Sequence, residues 1–400
     1  MSPKKGQDFY HSESSQSTTN AGDALKQLRK PLAGDVPISH QIDQYTVEGE
    51  LFEKLDNQKV RCIACGHRCR INPGGRGVCQ VRFNLNGKLL VPWGYVAALH
   101  VDPIEKKPFY HVFPGSDALT FGMLGCDLHC PYCQNWDISQ SLRDSYAGRP
   151  PQKISLDDII KIAKKSNATT MVSSYNEPLI TSEWAAAIFT KARELGMMCC
   201  FVSNGNGTKE VLEYMRPHMQ GFKVDLKSFN DKNYRKLGGV LKNVLETIRM
   251  AKGLGYWVEI VTLIVPEFND SPEELREMAK FIKSVSEDTP WHVTAFHKDY
   301  KMTDPANTSA QQLIDAAEIG YQEGLKFVYA GNLAGNVSKF ENTYCPSCNF
   351  TLIERIGYII QDYKITENGR CPKCHEIIPG IWPKTKASVR MSRGFNFFCG

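Results

Sequence analysis

The stretch GCDLHCPYCQNWDIS, residues 125–139, carries thiols at Cys126, Cys130 and Cys133 and no fourth nearby. Structural zinc takes four ligands, and iron–sulfur clusters usually take four thiolates. Three thiolates at x3 and x2 spacing can hold three corners of a 4Fe–4S cube and leave one iron open. An open metal position belongs to catalysis rather than to structure. Gly125 permits close backbone approach to such a cluster, and His129 is read as a non-ligand inside the loop.

This loop follows an apolar run at 119–124, the first of seven; the others are 169–174, 198–204, 221–226, 257–265, 292–296 and 326–331. Helical patterns separate them. One starts at SLDDIIKIAKKS, with Ser155 and Asp158 as a capping-box pair; another starts at SPEELREMAKFIKSV, with Ser271 as N-cap and Pro272 at the first helical position. Strands separated by helices predict repeated right-handed βαβ units, hence an α/β fold that is a full or partial β/α barrel, with a doubly wound sheet as the alternative. Both put an active site beyond the C-terminal strand ends. There the chain supplies, in order, the cysteine loop, YNEP with Glu177, NGNG from Asn204, Asp225 and Lys227, PEFND, FHKDYK with His297, and GNLAGN. Cys199 and Cys200 lie inside an apolar strand and read as core.

Eleven of the 14 cysteines fall into three tight groups, which favours metal over disulfides. Cys345, Cys348, Cys371 and Cys374 form two CPxC knuckles, a zinc-ribbon pattern. Cys62, Cys65, Cys69 and Cys79 have an x2, x3, x9 spacing that fits Zn2+ or a second iron–sulfur cluster, and His67 could replace one ligand. Only a cluster could relay electrons, because zinc has no redox chemistry. The expected organisation is a polar, partly disordered segment at 1–60, a Cys-rich metal-binding module at 61–117, the barrel at 118–340, the ribbon at 341–383 and a basic aromatic tail at 384–400. The formal charge of +5 falls to about zero once metal-bound thiolates are counted, so it leaves no nucleic-acid footprint. No apolar run reaches the length of a membrane span and no export signal is visible, so a reducing cytoplasm is the expected home.

Cys-x3-Cys-x2-Cys with Tyr132 before the last cysteine resembles the radical-SAM signature. CPYCQNWD is similar to the glycyl-radical activating branch, which includes pyruvate formate-lyase activating enzyme. RCIACGHRCRINPGGRGVCQVRFN, DPIEKKPFYHVFPG, YNEP, VDLKSF, PWHVTAFHKDYKM, VYAGN and the two CPxC knuckles resemble the radical SAM enzymes of the AmmeMemoRadiSam system, over residues 60–384. The resemblance implies that Cys126, Cys130 and Cys133 bind a 4Fe–4S cluster whose open iron chelates S-adenosylmethionine (SAM). It implies SAM contacts from Asn135, Glu177, Asn204, Asp225, Lys227 and His297, and an electron donor such as flavodoxin or ferredoxin. The substrate would be a partner protein's glycine or a small or peptidyl molecule. SSYNEP stands where many relatives have a Gly-Gly-Glu turn, which puts backbone contacts there in question.

Plainer roles stand beside these. Glu177 could be a helix-terminal acid, Asp225 and Lys227 an ion pair, Asn204 a turn residue before Gly205, and His292 and His297 satisfied, partly buried histidines. A non-enzymatic zinc and iron–sulfur scaffold or electron-transfer protein is the rival class, and it requires a closed cluster.

Overall fold

The computed structural model describes residues 38–391. The lead-in at 1–37 and the aromatic tail with Phe395, Phe397, Phe398 and Cys399 lie outside the described residues.

Eight strands form one sheet in strict chain order. They are β1 (Ala98–Pro103), β2 (Asp117–Gly122), β3 (Thr170–Ser173), β4 (Met198–Ser203), β5 (Gly221–Asp225), β6 (Trp257–Ile264), β7 (Trp291–Ala295) and β8 (Val328–Gly331). From β2 to β8 every neighbouring pair is parallel, while β1 runs antiparallel to β2 at the edge. A doubly wound sheet would reverse its strand order midway; this one never does. The crossovers carry α1 (Leu156–Lys165), α2 (Ser182–Glu194), α3 (Lys209–Met215), α4 (Asp231–Lys236), α5 (Leu241–Gly253), α6 (Pro272–Val285) and α7 (Ala310–Gln322). β1 and β8 do not pair with each other, so the barrel is partial.

Local chemistry starts these helices. Ser155 Oγ accepts from the Asp158 amide at 3.1 Å and Ser271 Oγ from Glu274 at 3.3 Å. The capping box at Ser155 differs from expectation: its hydroxyl donates to the Asp158 carboxylate at 2.6 Å. Strand alternation splits β5, with Phe222 and Val224 in the main core and Lys223 and Asp225 lining the barrel lumen. Cys199 and Cys200 are fully buried core residues.

The N-terminal Cys-rich region is not a separate globule. Small antiparallel sheets run from Thr46 to Pro92, and Leu51, Val60, Ile71, Val81 and Leu89 share one core with barrel residues such as Leu119, Phe121 and Trp184. Order therefore begins well before residue 60. A buried ion pair between Arg82 and Glu183 of α2 locks the contact. The C-terminal ribbon builds a second core from Leu352, Ile353, Ile360 and Tyr363 against Tyr110 and the β8 residue Tyr329.

The ribbon also spans the open side of the barrel. Arg355 donates to the Tyr110 carbonyl at 3.0 Å, in the β1–β2 connection, and to Thr343 Oγ1 at 2.8 Å. Thr343 meets the β8 hydroxyl of Tyr329 at 2.9 Å, and Tyr329 meets His111 Nε2 at 2.6 Å. Ile381 exchanges backbone hydrogen bonds with His111 and Phe113. The β1–β2 connection and β8 are thus held by one module.

Candidate active site

A cavity of about 360 Å3 opens at the C-terminal ends of the strands. Segments that follow β2, β3, β4, β5 and β8 all reach it, as do lumen residues of β6 and β7. Only a curled sheet can bring strands so far apart in order to one space.

Cys126, Cys130 and Cys133 all line this cavity. Among the described residues, the ribbon thiols are the only group of three or more potential ligands with donor atoms all within 4.8 Å of one another. The three loop thiols do not all converge within that distance. Burial drives all three thiols to higher pKa, Cys130 to about 12. Thiolates there need a compensating cation, as a cluster core would provide. Leu128 N–H donates to Cys126 Sγ at 3.4 Å, and Ser139 Oγ lies 3.1 Å from Cys133 Sγ. Tyr132 is buried against Phe268. His129 packs on Gly238 and does not line the cavity.

The loop is braced from two sides. The buried Asp127 carboxylate accepts from Asn204 Nδ2 at 2.7 Å and Asn206 Nδ2 at 2.8 Å. From the other side, Lys301 and Met302 N–H groups donate to the Pro131 carbonyl at 2.9 and 3.0 Å, and Tyr300 stacks on Trp136.

Glu177 is buried and lines the cavity. Its carboxylate accepts from Ser203 Oγ at 2.7 Å, Asn204 N at 2.7 Å and Leu179 N at 3.0 Å. The helix-terminal role and the cavity role therefore coexist. Burial first, and then the charge of Asp127, push its carboxyl up to about 8. Asp225 and Lys227 also face the cavity, 3.2 Å apart, so ion pairing and site membership coexist too. Burial opposes the Lys227 charge, but Asp225 and the Cys130 thiol raise its pKa well above the ordinary value.

Asn204 reaches the cavity, yet its amide is committed to Asp127 and its Oδ1 accepts from Asn206 N at 2.8 Å. Asn135 is an exposed lining residue whose side chain makes no cap bond to the short helix Trp136–Ser139. His297 is exposed, contacts the Lys298 carbonyl at 3.3 Å, and is absent from the lining. His292 is buried below, 2.7 Å from Glu259, as a satisfied core histidine.

Several lining residues escaped the reading of the sequence. Lys107, Lys223 and Tyr175 face the cavity, and Tyr358 enters from the ribbon. Tyr175 holds φ at 73°, a left-handed backbone suited to glycine, within SSYNEP. Gly122 makes room for it: a Cβ there would meet the Ser174 carbonyl at 2.6 Å and Tyr175 side-chain carbons at 3.1 Å.

In the ribbon, Cys345 Sγ lies 3.5 Å from Cys374 Sγ and Cys348 Sγ 3.7 Å from Cys371 Sγ, close to a tetrahedral site's spacing. The residue after each knuckle, Asn349 or His375, takes a positive φ of 55° or 63°. The group can hold a metal. The sulfurs of Cys62, Cys65, Cys69 and Cys79 do not converge within 4.8 Å in the same way.

The site is thus a curled, singly wound β/α barrel with three cysteine thiols at its mouth. Residues 121–282 match the Radical SAM superfamily, and the chain is 38% identical over 334 residues to the uncharacterized protein MJ0808 of Methanocaldococcus jannaschii, covering 83% of this chain and 98% of that protein. The chain belongs to the radical SAM superfamily. It is 25% identical over 206 residues to the pyruvate formate-lyase-activating enzyme of Staphylococcus aureus strain USA300, covering 46% of this chain and 78% of that one. A solved radical SAM methyltransferase from Sphaerobacter thermophilus superposes over 72% of this chain and 78% of its own, with 12% identity and a TM-score of 0.45. Among the described residues, no helix is long and apolar enough to cross a membrane.

Proposed function

We propose that this chain is a radical SAM oxidoreductase that cleaves SAM reductively and abstracts a hydrogen atom from a protein or small-molecule substrate, in the manner of glycyl-radical-enzyme activating enzymes. Cys126, Cys130 and Cys133 hold its 4Fe–4S cluster. When bound, that cluster supplies the electron that breaks a carbon–sulfur bond of SAM and gives the 5′-deoxyadenosyl radical.

The observation that carries this reading is the meeting of three thiols, the buried acid Glu177 and the Asp225–Lys227 ion pair in a single cavity. Glu177 takes the SAM amino group, and Lys227 holds the SAM carboxylate by a charge-assisted hydrogen bond. Asp225 keeps Lys227 charged and aimed. Asn135 contacts SAM at the open edge, and Asn204 acts through Asp127 to position the cysteine loop. Leu128 and Tyr132 keep water from the reacting centre. Electrons arrive from a small redox protein such as flavodoxin or ferredoxin, and a reducing cytoplasm suits the free thiols.

Tetrahedral sulfur spacing supports Zn2+ in the ribbon. Cys62, Cys65, Cys69 and Cys79 hold Zn2+ or a second iron–sulfur cluster. The test is electron paramagnetic resonance of the anaerobically reconstituted, reduced protein with and without SAM. SAM should alter the signal of the three-thiol cluster, and Cys130→Ala should remove both that signal and deoxyadenosine formation. A signal blind to SAM would refute the proposal.

A further inference from the structure

Two lysines in the cavity have no part in holding SAM under the function proposed above, on which this inference rests. Lys107 and Lys223 are each 4% exposed, and both line the cavity. Long cationic side chains are almost never buried without a partner of their own. Here the partners are shared. Asp225 serves both Lys223 and Lys227 at 3.2 Å, and Asp102 serves both Lys106 and Lys107 at 2.8 Å. Lys223 pairs with Asp225 without hydrogen-bond geometry, since that carboxylate oxygen makes no hydrogen bond.

Of the other acids nearby, Glu259 offsets Lys223 in charge from outside the cavity lining but gives it no hydrogen bond. Glu177 faces the cavity and is assigned to the SAM amino group. Glu259, next to Lys223 in the strand register, spends its carboxylate on His292, Trp257 and the amides of Tyr110 and His111. Tyr175 OH, 3.0 Å from Lys107, adds a polar group beside the same space. Barrel interiors are ordinarily filled with branched apolar side chains. A lysine at position 223 of the lumen is therefore unusual, and it shares its one cavity-facing carboxylate, Asp225, with Lys227.

We infer that Lys107 and Lys223 form the subsite for an anionic group, a carboxylate or a phosphate, on the substrate. The two ammoniums repel each other across the cavity, and an anion between them removes that cost while fixing the substrate relative to SAM. The strained Tyr175 backbone has its use here: it keeps the phenol over Lys107, with the ammonium 4.7 Å from the ring centre.

The experiment uses the cluster-reconstituted full chain saturated with SAM. Inorganic phosphate and acetate are the two probes, titrated by calorimetry into wild type, Lys107→Met, Lys223→Met, Lys107→Arg and Lys223→Arg. At least one probe should bind wild type, and which one tells phosphate from carboxylate. Each Met variant should weaken that binding by about tenfold or more, as loss of a charge-assisted hydrogen bond does, while the Arg variants retain most of it. Binding of neither probe, equal binding by the Met variants, or a probe that displaces SAM would each overturn the inference. The SAM-dependent paramagnetic signal is recorded on the same samples. If it persists while no anion binds, the subsite alone fails; if wild type lacks it, the proposed function fails and takes the subsite with it.

Discussion

Asn204 donates its side-chain amide to the buried carboxylate of Asp127 at 2.7 Å, joining the turn after β4 to the cysteine loop after β2. Asn206 makes the second such bond, so one acid anchors two segments. Asp127→Ala would leave two buried amides without an acceptor, at about 1–3 kcal/mol each. The apparent Tm should fall by about 5 °C or more, and iron retention should drop before SAM affinity is even tested. Unchanged iron content in Asp127→Ala would mean that the clasp does not position the thiols.

Under the role proposed for Glu177, SAM binding should release a proton. With its pKa raised from 4.5 to about 8, Glu177 is mostly protonated at pH 7 in the SAM-free protein. Its contribution to stability is full below 4.5 and is lost as pH rises toward about 8. An ammonium placed beside it favours the charged form, so binding at pH 7 should release close to one proton. Calorimetry in buffers of different ionisation enthalpy measures that release. Glu177→Gln should abolish it and weaken SAM binding; a release that survives the substitution points to another group.

His111 provides the opposite pH dependence. Burial, opposed by Glu259, lowers its pKa from 6.5 to about 4. The neutral ring bridges the Pro379 carbonyl and the Tyr329 hydroxyl, both at 2.6 Å. Because the unfolded form binds the proton more tightly, this contribution is full above 6.5 and is lost as pH falls through about 4. It amounts to roughly 3 kcal/mol. Thermal unfolding across that range should show loosening of the ribbon on acidification, and His111→Gln should flatten the slope.

Metal content separates the three cysteine groups. Anaerobically purified protein should hold about one zinc in the ribbon and about four irons at the three-thiol loop, and about eight irons in all would give a cluster to the N-terminal group. Cys130→Ala should lose about four irons and keep the zinc, while Cys371→Ala should lose the zinc and mainly impair folding. Equal loss of catalytic-site iron in both variants would contradict this division, and about four irons with two zincs would give the N-terminal group to zinc.

Tyr175→Gly tests whether backbone strain is maintained for the site. Glycine accepts a φ of 73° freely, so the substitution should relieve about 1 kcal/mol or more of strain. Stability should hold or rise despite a lost ring, while anion affinity at Lys107 falls. A variant both less stable and equal in anion binding would assign the ring to packing alone.

The seven parallel strands were legible because each is an apolar run bounded by helix caps such as Ser155 and Ser271. β1 was not: its burial is weak and Val101 is exposed, so no apolar alternation marks it. The thiols and Glu177 could be read from spacing and strand-end position. Asp127 was hidden by its place in a loop judged for thiols alone, although an acid beside Cys126 was itself a signal. Lys223 was hidden between Phe222 and Val224, yet strand parity with Asp225 already put both on one face. Lys107 lies in a connection with no periodicity, and only tertiary packing brings it 3.0 Å from Tyr175. His297 shows the converse, since its motif docks the cysteine loop through the backbone of Lys301 and Met302.

The bridge that the ribbon makes between the β1–β2 connection and β8 ties the four-cysteine knuckle to the cavity. Tyr358 belongs to that bridge and to the cavity wall alike. Under the proposed function, loss of a metal from the ribbon should unbutton the seam and let bulk solvent in beside Lys107.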